Sequence, residues 1–282
     1  MSFFEQKIKL KEKNAAVSYY DIGHDVAPVI IFIHGFPFNK SMWDLQLSTL
    51  KDKYRIIAYD VRGHGDSDAG DKQFSIDLFA NDLIFIMDEL KIAKATVCGL
   101  SMGGYIAINA AISHPVRFDS LILCDTTCTA DSPKILDKRM KSIESIKKYG
   151  VEKYADESLK NLFAVESFTS REAEIRVVRD MIINTSEKTI CDTLTALANR
   201  KDTCGGLSAI KIPVMFMVGK YDEITPPDAS RFMKDQINGS ILNIIEHAGH
   251  ISNVENSFEF NFHLKKFIAS VYKKELIKEE LV

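Results

Sequence analysis

The stretch Thr96-Val97-Cys98-Gly99-Leu100-Ser101-Met102-Gly103-Gly104-Tyr105 leaves a chain few ways to fold. An apolar, β-favouring run at 95–98 meets Gly-x-Ser-x-Gly, and a helical pattern with Tyr105, Ile106, Ile108 and Ala111 among small residues follows at once. Strand, sharp turn and helix, with a serine at the turn, strain the serine backbone and point its Oγ away from both elements. A side chain at 99 or 103 would collide where strand and helix converge, so both positions call for glycine. A Gly-rich turn with an incidental serine has the same local composition. The flanking chain has to distinguish the two.

The flanks repeat the strand–helix theme. Residues 3–10 and 14–22 alternate as an antiparallel hairpin would. Val29-Ile30-Ile31-Phe32-Ile33 is solidly apolar and reads as a strand buried on both faces. A helix opens near Asn39 or Ser41, and a strand at 54–59 ends in the polar, Gly-rich loop from Asp60 to Asp68. Ser75 is placed to cap a long amphipathic helix through Leu90, with Leu78, Phe79, Leu83, Ile86 and Met87 inward. Another strand at 120–124 ends at Asp125. Strands at 213–218 and 240–245, with a helix from Thr225-Pro226-Pro227 to Gln236 between them, resume the rhythm. A closing helix is expected at 254–272, with a charged, frayed tail at 273–282. Alternation of this kind predicts an α/β fold, a mostly parallel central sheet with helices on both faces.

Between 127 and 208 the rhythm breaks. Helical patterns at 134–149, 151–163, 171–184 and 188–200 follow one another with no strand among them. Four helices in a row predict an inserted helical cap over 127–208, on a core made of 1–126 and 209–282. Thr126-Thr127 and Cys204-Gly205-Gly206 would be its joints.

Composition excludes several classes of function. The 282 residues carry a net charge of -3 and no basic block, so nucleic acid and an anionic membrane surface are not expected partners. No apolar run reaches spanning length, and the start has no basic-then-apolar leader, which predicts a cytoplasmic protein. The five cysteines (98, 124, 128, 191 and 204) lack paired metal spacing and read as buried free thiols; neither metal nor cofactor is expected.

In an open α/β sheet, ligands sit at the carboxyl ends of the parallel strands. Those ends carry His34-Gly35-Phe36, Asp60, Ser101, Asp125, Asp222 and His250. The set holds a nucleophile, acid candidates and a base, in the chain order Ser, Asp, His. With His34-Gly35-Phe36-Pro37, Asp60-x-Arg62-Gly63-His64-Gly65-x-Ser67, Gly99-Leu100-Ser101-Met102-Gly103-Gly104, Gly219-x-x-Asp222 and Gly249-His250, the chain resembles the α/β-hydrolase fold superfamily. Within it, the Ser-Met-Gly-Gly and His-Gly-Phe-Pro pieces resemble small bacterial carboxylesterases, 3-oxoadipate enol-lactonases and cofactor-free haloperoxidase-like esterases. The match covers the core; the cap matches only in position and helicity.

The resemblance implies a serine hydrolase acting on a small-molecule ester or lactone. Ser101 would be the nucleophile, His250 its base, and Asp222 the acid that orients the imidazole, with Asp125 as the competing acid. His34 and His64 would brace loops, and His247 lacks the adjoining Gly-His match. The backbone amides of Phe36 and Met102 would receive the oxyanion. Phe38, Trp43, Phe163 and Phe168 are candidates for the pocket wall, Trp43 equally for core packing. A serine at 101, where dehalogenase relatives carry aspartate, argues against carbon–halogen cleavage. A small-molecule receptor with slow hydrolysis and a perhydrolase using the same acyl-enzyme are the alternative readings.

Overall fold

In the computed structural model, which describes residues 3–12 and 15–279, eight strands form one sheet. They are β1 (Glu5–Lys9), β2 (Ala16–Ile22), β3 (Val29–Ile33), β4 (Arg55–Tyr59), β5 (Ala95–Leu100), β6 (Phe118–Cys124), β7 (Val214–Gly219) and β8 (Ile241–Ile245). Their spatial order is β1-β2-β4-β3-β5-β6-β7-β8. The β1–β2 and β2–β4 pairs are antiparallel, and every pair from β4–β3 to β7–β8 is parallel. Residue 14, at the expected start of the second strand, and residues 280–282 of the expected tail lie outside the described residues.

Why β3 is apolar at every position follows from its two covered faces. On β3, Ile31 and Ile33 enter a core shared with α2 (Ile76–Glu89) and α3 (Met102–Ser113). Ile30 and Phe32 enter a second core on the opposite face, with α1 (Asp44–Leu50) and α11 (Ser257–Glu279). Ser75 accepts the Leu78 amide at 3.0 Å and starts α2 as its sequence position suggests. The helix expected near Asn39 begins instead as a 3-10 turn, Lys40–Trp43, whose Ser41 amide donates to Asn39 Oδ1.

Between β6 and β7 lie five helices: α4 (Pro133–Tyr149), α5 (Val151–Leu162), α6 (Ser167–Ser170), α7 (Glu172–Ile183) and α8 (Glu187–Ala198). Four were legible. The single turn α6 is too short to show a helical period. α4 packs on α8 and α5 on α7. Ile143, Ile146, Ile190 and Leu194 form a small apolar cluster against which Phe36 of the core rests. After β7 come α9 (Pro227–Gln236), then β8 and α10 (Ser252–Glu255). The single closing helix expected from 254 is thus two, α10 and α11, with a break at Asn256, and α11 continues beyond the expected end at 272.

The free-thiol reading is corrected at two positions. Cys128 and Cys204 are joined by a disulfide across 76 residues of chain, so the bond ties the two ends of the helical insertion together. The spacing carried no sign of it, because the partners meet only when the insertion folds back on itself. Disulfides persist in oxidising surroundings and are uncommon in a reducing cytosol, which weighs against the cytoplasmic expectation. Cys98 and Cys124 are buried free thiols and Cys191 is free and half-buried. Among the described residues no helix is long and apolar enough to cross a membrane.

Candidate active site

Ser101 stands between the last residue of β5 and the first of α3, with φ +53° and ψ -112°. A residue with a Cβ is strained at such a positive φ, and the conformation holds here because both sides are fixed. The Ser101 amide donates to the Cys124 carbonyl at 2.8 Å, and the Thr126 hydroxyl donates to the Ser101 carbonyl at 2.8 Å. The glycines do the steric work anticipated of them. A Cβ on Gly99 would overlap the Gly103 carbonyl, and one on Gly103 would overlap the Ile33 carbonyl.

The sheet brings Ser101, His250 and Asp222 into one hydrogen-bonded chain. Ser101 Oγ lies 2.9 Å from His250 Nε2, and His250 Nδ1 lies 2.8 Å from Asp222 Oδ2. With a carboxylate at Nδ1, the proton sits on Nδ1 and leaves Nε2 to accept from the serine hydroxyl. Asp222 is fixed by three further donors: the Ile224 and Thr225 amides reach Oδ1 at 2.8 and 3.0 Å, and the Thr225 hydroxyl reaches Oδ2 at 2.8 Å. Asp222 therefore closes its own turn while it contacts His250.

Charge follows geometry. Burial works to lower the His250 imidazole, but the Asp222 charge and hydrogen bond outweigh it, and the imidazole is raised above its ordinary value. Burial works to raise the Asp222 carboxyl; the attraction of His250 and the hydrogen bonds from His250 and Thr225 hold it below its ordinary value. Asp125 faces elsewhere. It accepts the Gly219 amide at 2.8 Å and the Ser252 hydroxyl at 2.6 Å, and burial together with the nearby Asp222 charge pushes its carboxyl well above the usual range.

The Phe36 and Met102 amides lie on the loop after β3 and at the first position of α3. Among the described residues neither amide has a protein acceptor, so both are free to donate to a ligand oxygen. The 60–68 loop is a brace. Asp60 accepts the Lys40 amide and ammonium, each at 2.7 Å, and the Asp66 amide at 2.9 Å, while Arg62 grips Asp82 with two hydrogen bonds. His34 donates to the Gly35 carbonyl and accepts the Val61 amide; burial lowers it to about 4. His64 donates to the Arg62 carbonyl, and burial lowers it to about 3. His247 is exposed and pairs with Glu166 at 2.7 Å.

The expected pocket wall divides. Trp43 has no exposed surface and is packed between Phe32 and Phe260, with ring centroids 5.0 and 6.1 Å away. Phe38 is buried in the same core. Both are core residues, and their pocket-wall reading is corrected: the chain turns inward after Pro37 and carries them under the sheet face that α1 covers. Phe163 is buried next to Leu162, whose carbonyl accepts the His250 amide at 2.8 Å, and Phe168 meets Phe163 edge-on at 6.3 Å with part of its ring exposed. The sequence reading took Thr126 as a joint of the cap and Thr225 as a helix start, and missed their part in holding Ser101 and Asp222. Each immediately follows or closely follows an aspartate at a strand end, the one local sign available.

Sheet order, strand-end polar residues and the serine turn together define an α/β protein of the open, mostly parallel kind with its site at the strand carboxyl ends. The chain belongs to the α/β hydrolase fold family, whose model matches residues 28–257. It is 31% identical over 265 residues to 3-oxoadipate enol-lactonase 2 of Acinetobacter baylyi, covering 93% of this chain and 96% of that protein. A thermophilic esterase from Thermogutta terrifontis superposes with a TM-score of 0.89 at 28% identity, covering 95% of this chain and 99% of the esterase. The enol-lactonase from Burkholderia xenovorans LB400 does so with a TM-score of 0.86 at 27% identity, covering 93% of this chain and 100% of the other.

Proposed function

We propose that the protein is a carboxylic ester hydrolase that opens a small-molecule ester or lactone through an acyl-enzyme on Ser101. The observation that carries this reading is the hydrogen-bonded chain from Ser101 Oγ to His250 Nε2 at 2.9 Å and from His250 Nδ1 to Asp222 Oδ2 at 2.8 Å. Esterase and enol-lactonase relatives support it.

Ser101 attacks the carbonyl carbon as His250 Nε2 takes the hydroxyl proton. Asp222 stabilises the imidazolium that forms and keeps its ring in place. The oxyanion accepts hydrogen bonds from the Phe36 and Met102 amides, with the N-terminal field of α3 behind Met102; losing one such donor costs about 3 kcal/mol of barrier. His250 returns its proton to the leaving alkoxide oxygen, which in a lactone stays attached to the acyl group. Water, deprotonated by the same imidazole, then attacks the acyl-enzyme and frees the acid and Ser101. Helices α4–α8 serve as the cap, and the apolar cluster around Phe36 favours an uncharged acyl group of small to medium size.

A panel of p-nitrophenyl acyl esters and simple lactones, with mass-spectrometric detection of a Ser101 adduct to a fluorophosphonate, tests the reading. Turnover with labelling at Ser101 is expected. A stoichiometric burst with no further release would instead favour a ligand sensor.

A further inference from the structure

The buried carboxylate of Glu255 has no part in the reaction as proposed, yet it sits where the inserted helices meet the loop that carries His250. Glu255 ends α10 and is 1% exposed. Its Oε1 accepts the amide of Gly249, the residue before His250, at 2.6 Å. Its Oε2 accepts the Ala164 amide at 2.8 Å and the Ser167 hydroxyl at 2.5 Å, both from the segment that joins α5 to α7. One carboxylate thus takes donors from two pieces of chain far apart in sequence, Gly249 on one side and Ala164 and Ser167 on the other. Beside it, the His250 amide donates to the Leu162 carbonyl at 2.8 Å. The two backbones approach so closely that a Cβ on Gly249 would lie 2.8 Å from the Ala164 nitrogen and 2.9 Å from the Leu162 oxygen. At the outer rim of the seam the exposed His247–Glu166 pair adds a further contact.

From this geometry we infer that Glu255 is a positioning residue that fastens the helical insertion to the His250 loop and so fixes the imidazole against Ser101. The inference deepens the proposed function and rests on its assignment of Ser101 and His250. An ionised carboxylate suits the place because all the groups facing Oε1 and Oε2 are donors. A glutamine would turn an N–H toward one side of the seam and leave a donor facing a donor. Of the titratable groups, Asp222 acts on Glu255 through its charge, and His250 feels the charge of Glu255. Burial raises the Glu255 carboxyl above its ordinary value against the pull of the Ser167, Ala164 and Gly249 donors, and its negative charge in turn adds to the raising of His250.

The test is Glu255→Gln, read by kcat and KM on p-nitrophenyl butyrate and by the rate of fluorophosphonate labelling of Ser101 against pH, with circular-dichroism melting to establish that the variant is folded. A misplaced imidazole should lower kcat and the labelling rate by about tenfold with KM little changed. The midpoint of the pH–labelling curve should move down, because a negative charge near His250 is gone. Glu255→Asp, shorter but still charged, should keep the wild-type midpoint. A folded Glu255→Gln variant with wild-type labelling rate and midpoint overturns the inference. Should that variant not fold, Ser167→Ala removes one donor and keeps two. A smaller fall in the same direction is then expected, and wild-type behaviour overturns it equally. Wild-type protein labelled at Ser101 but inactive on every ester would sink the hydrolase reading alone, since labelling still reports the seam. Failure to label wild-type Ser101 would overturn both.

Discussion

Ser101 is held in a conformation that serine does not choose, and at the residue scale the site is a matter of what holds it there and what faces it. Removing the hydroxyl removes the proposed nucleophile without touching the backbone bonds to Cys124 and Thr126, so Ser101→Ala should fold normally and lose roughly 10⁶-fold in kcat. Esterase activity and fluorophosphonate labelling surviving in that variant would end the assignment. The two aspartates separate in the same way. Asp222→Asn should cost about 10⁴-fold in kcat because the amide cannot support the imidazolium. Asp125→Asn should act on stability, since Asp125 binds Gly219 and Ser252 rather than His250. Swapped outcomes would move the acid to Asp125. The pH profile follows from His250. Its neutral form is the proposed base, and Asp222 raises the imidazole above its ordinary value, so kcat/KM should fall as pH drops through a midpoint above the usual histidine range. In Asp222→Asn the largest cause of the raise is removed, and any residual activity should show a lower midpoint.

At the scale of elements, the turn from β5 to α3 is defined by what it excludes. A methyl group at Gly99 or Gly103 meets backbone carbonyls, which cannot swing aside as a side chain can. Gly99→Ala and Gly103→Ala should each lower the urea midpoint by an amount worth about 3 kcal/mol. Wild-type stability in either would mean that the strand and helix converge less closely than described. This constraint was legible in the sequence because it is local: two glycines, a serine, an apolar run and a helical period all lie within residues 95–111. The same holds for Ser75 at the start of α2 and for the doubly buried β3. Elements of a single turn, α6 and α10, were not legible, because four residues cannot display a period. Their positions are set by what they touch, as Ser167 and Glu255 show across the seam between them.

For the whole molecule, the disulfide closes the helical insertion at its base. Cys128–Cys204 spans 76 residues, and cross-linking a loop of that length stabilises a fold by about 4 kcal/mol in the chain-entropy view. The Thr203 amide also donates to the Cys128 carbonyl and Arg200 to the Thr129 carbonyl, so the neck has hydrogen bonds of its own. Reduction, or the double substitution Cys128→Ser and Cys204→Ser, should therefore lower the melting temperature by roughly 5–10 °C while leaving kcat within about twofold. Free-thiol titration gives the direct check: one reactive pair more after reduction than before, under denaturing conditions.

The sequence by itself determined the order of the strands and of the longer helices, the run of helices between β6 and β7, and the serine turn. Steric fit at a turn and hydrophobic period along an element are properties of neighbouring residues. Only the tertiary structure decided that Asp222 and not Asp125 meets the imidazole, that Trp43 and Phe38 pack inside the core, that Cys128 pairs with Cys204, and that Glu255 joins the insertion to the His250 loop. Each of these turns on whether side chains distant in the chain come within about 3 Å, or a few ångströms for packed rings. That separation is set by sheet order, with β7 between β6 and β8, and by the path of the insertion back to its neck.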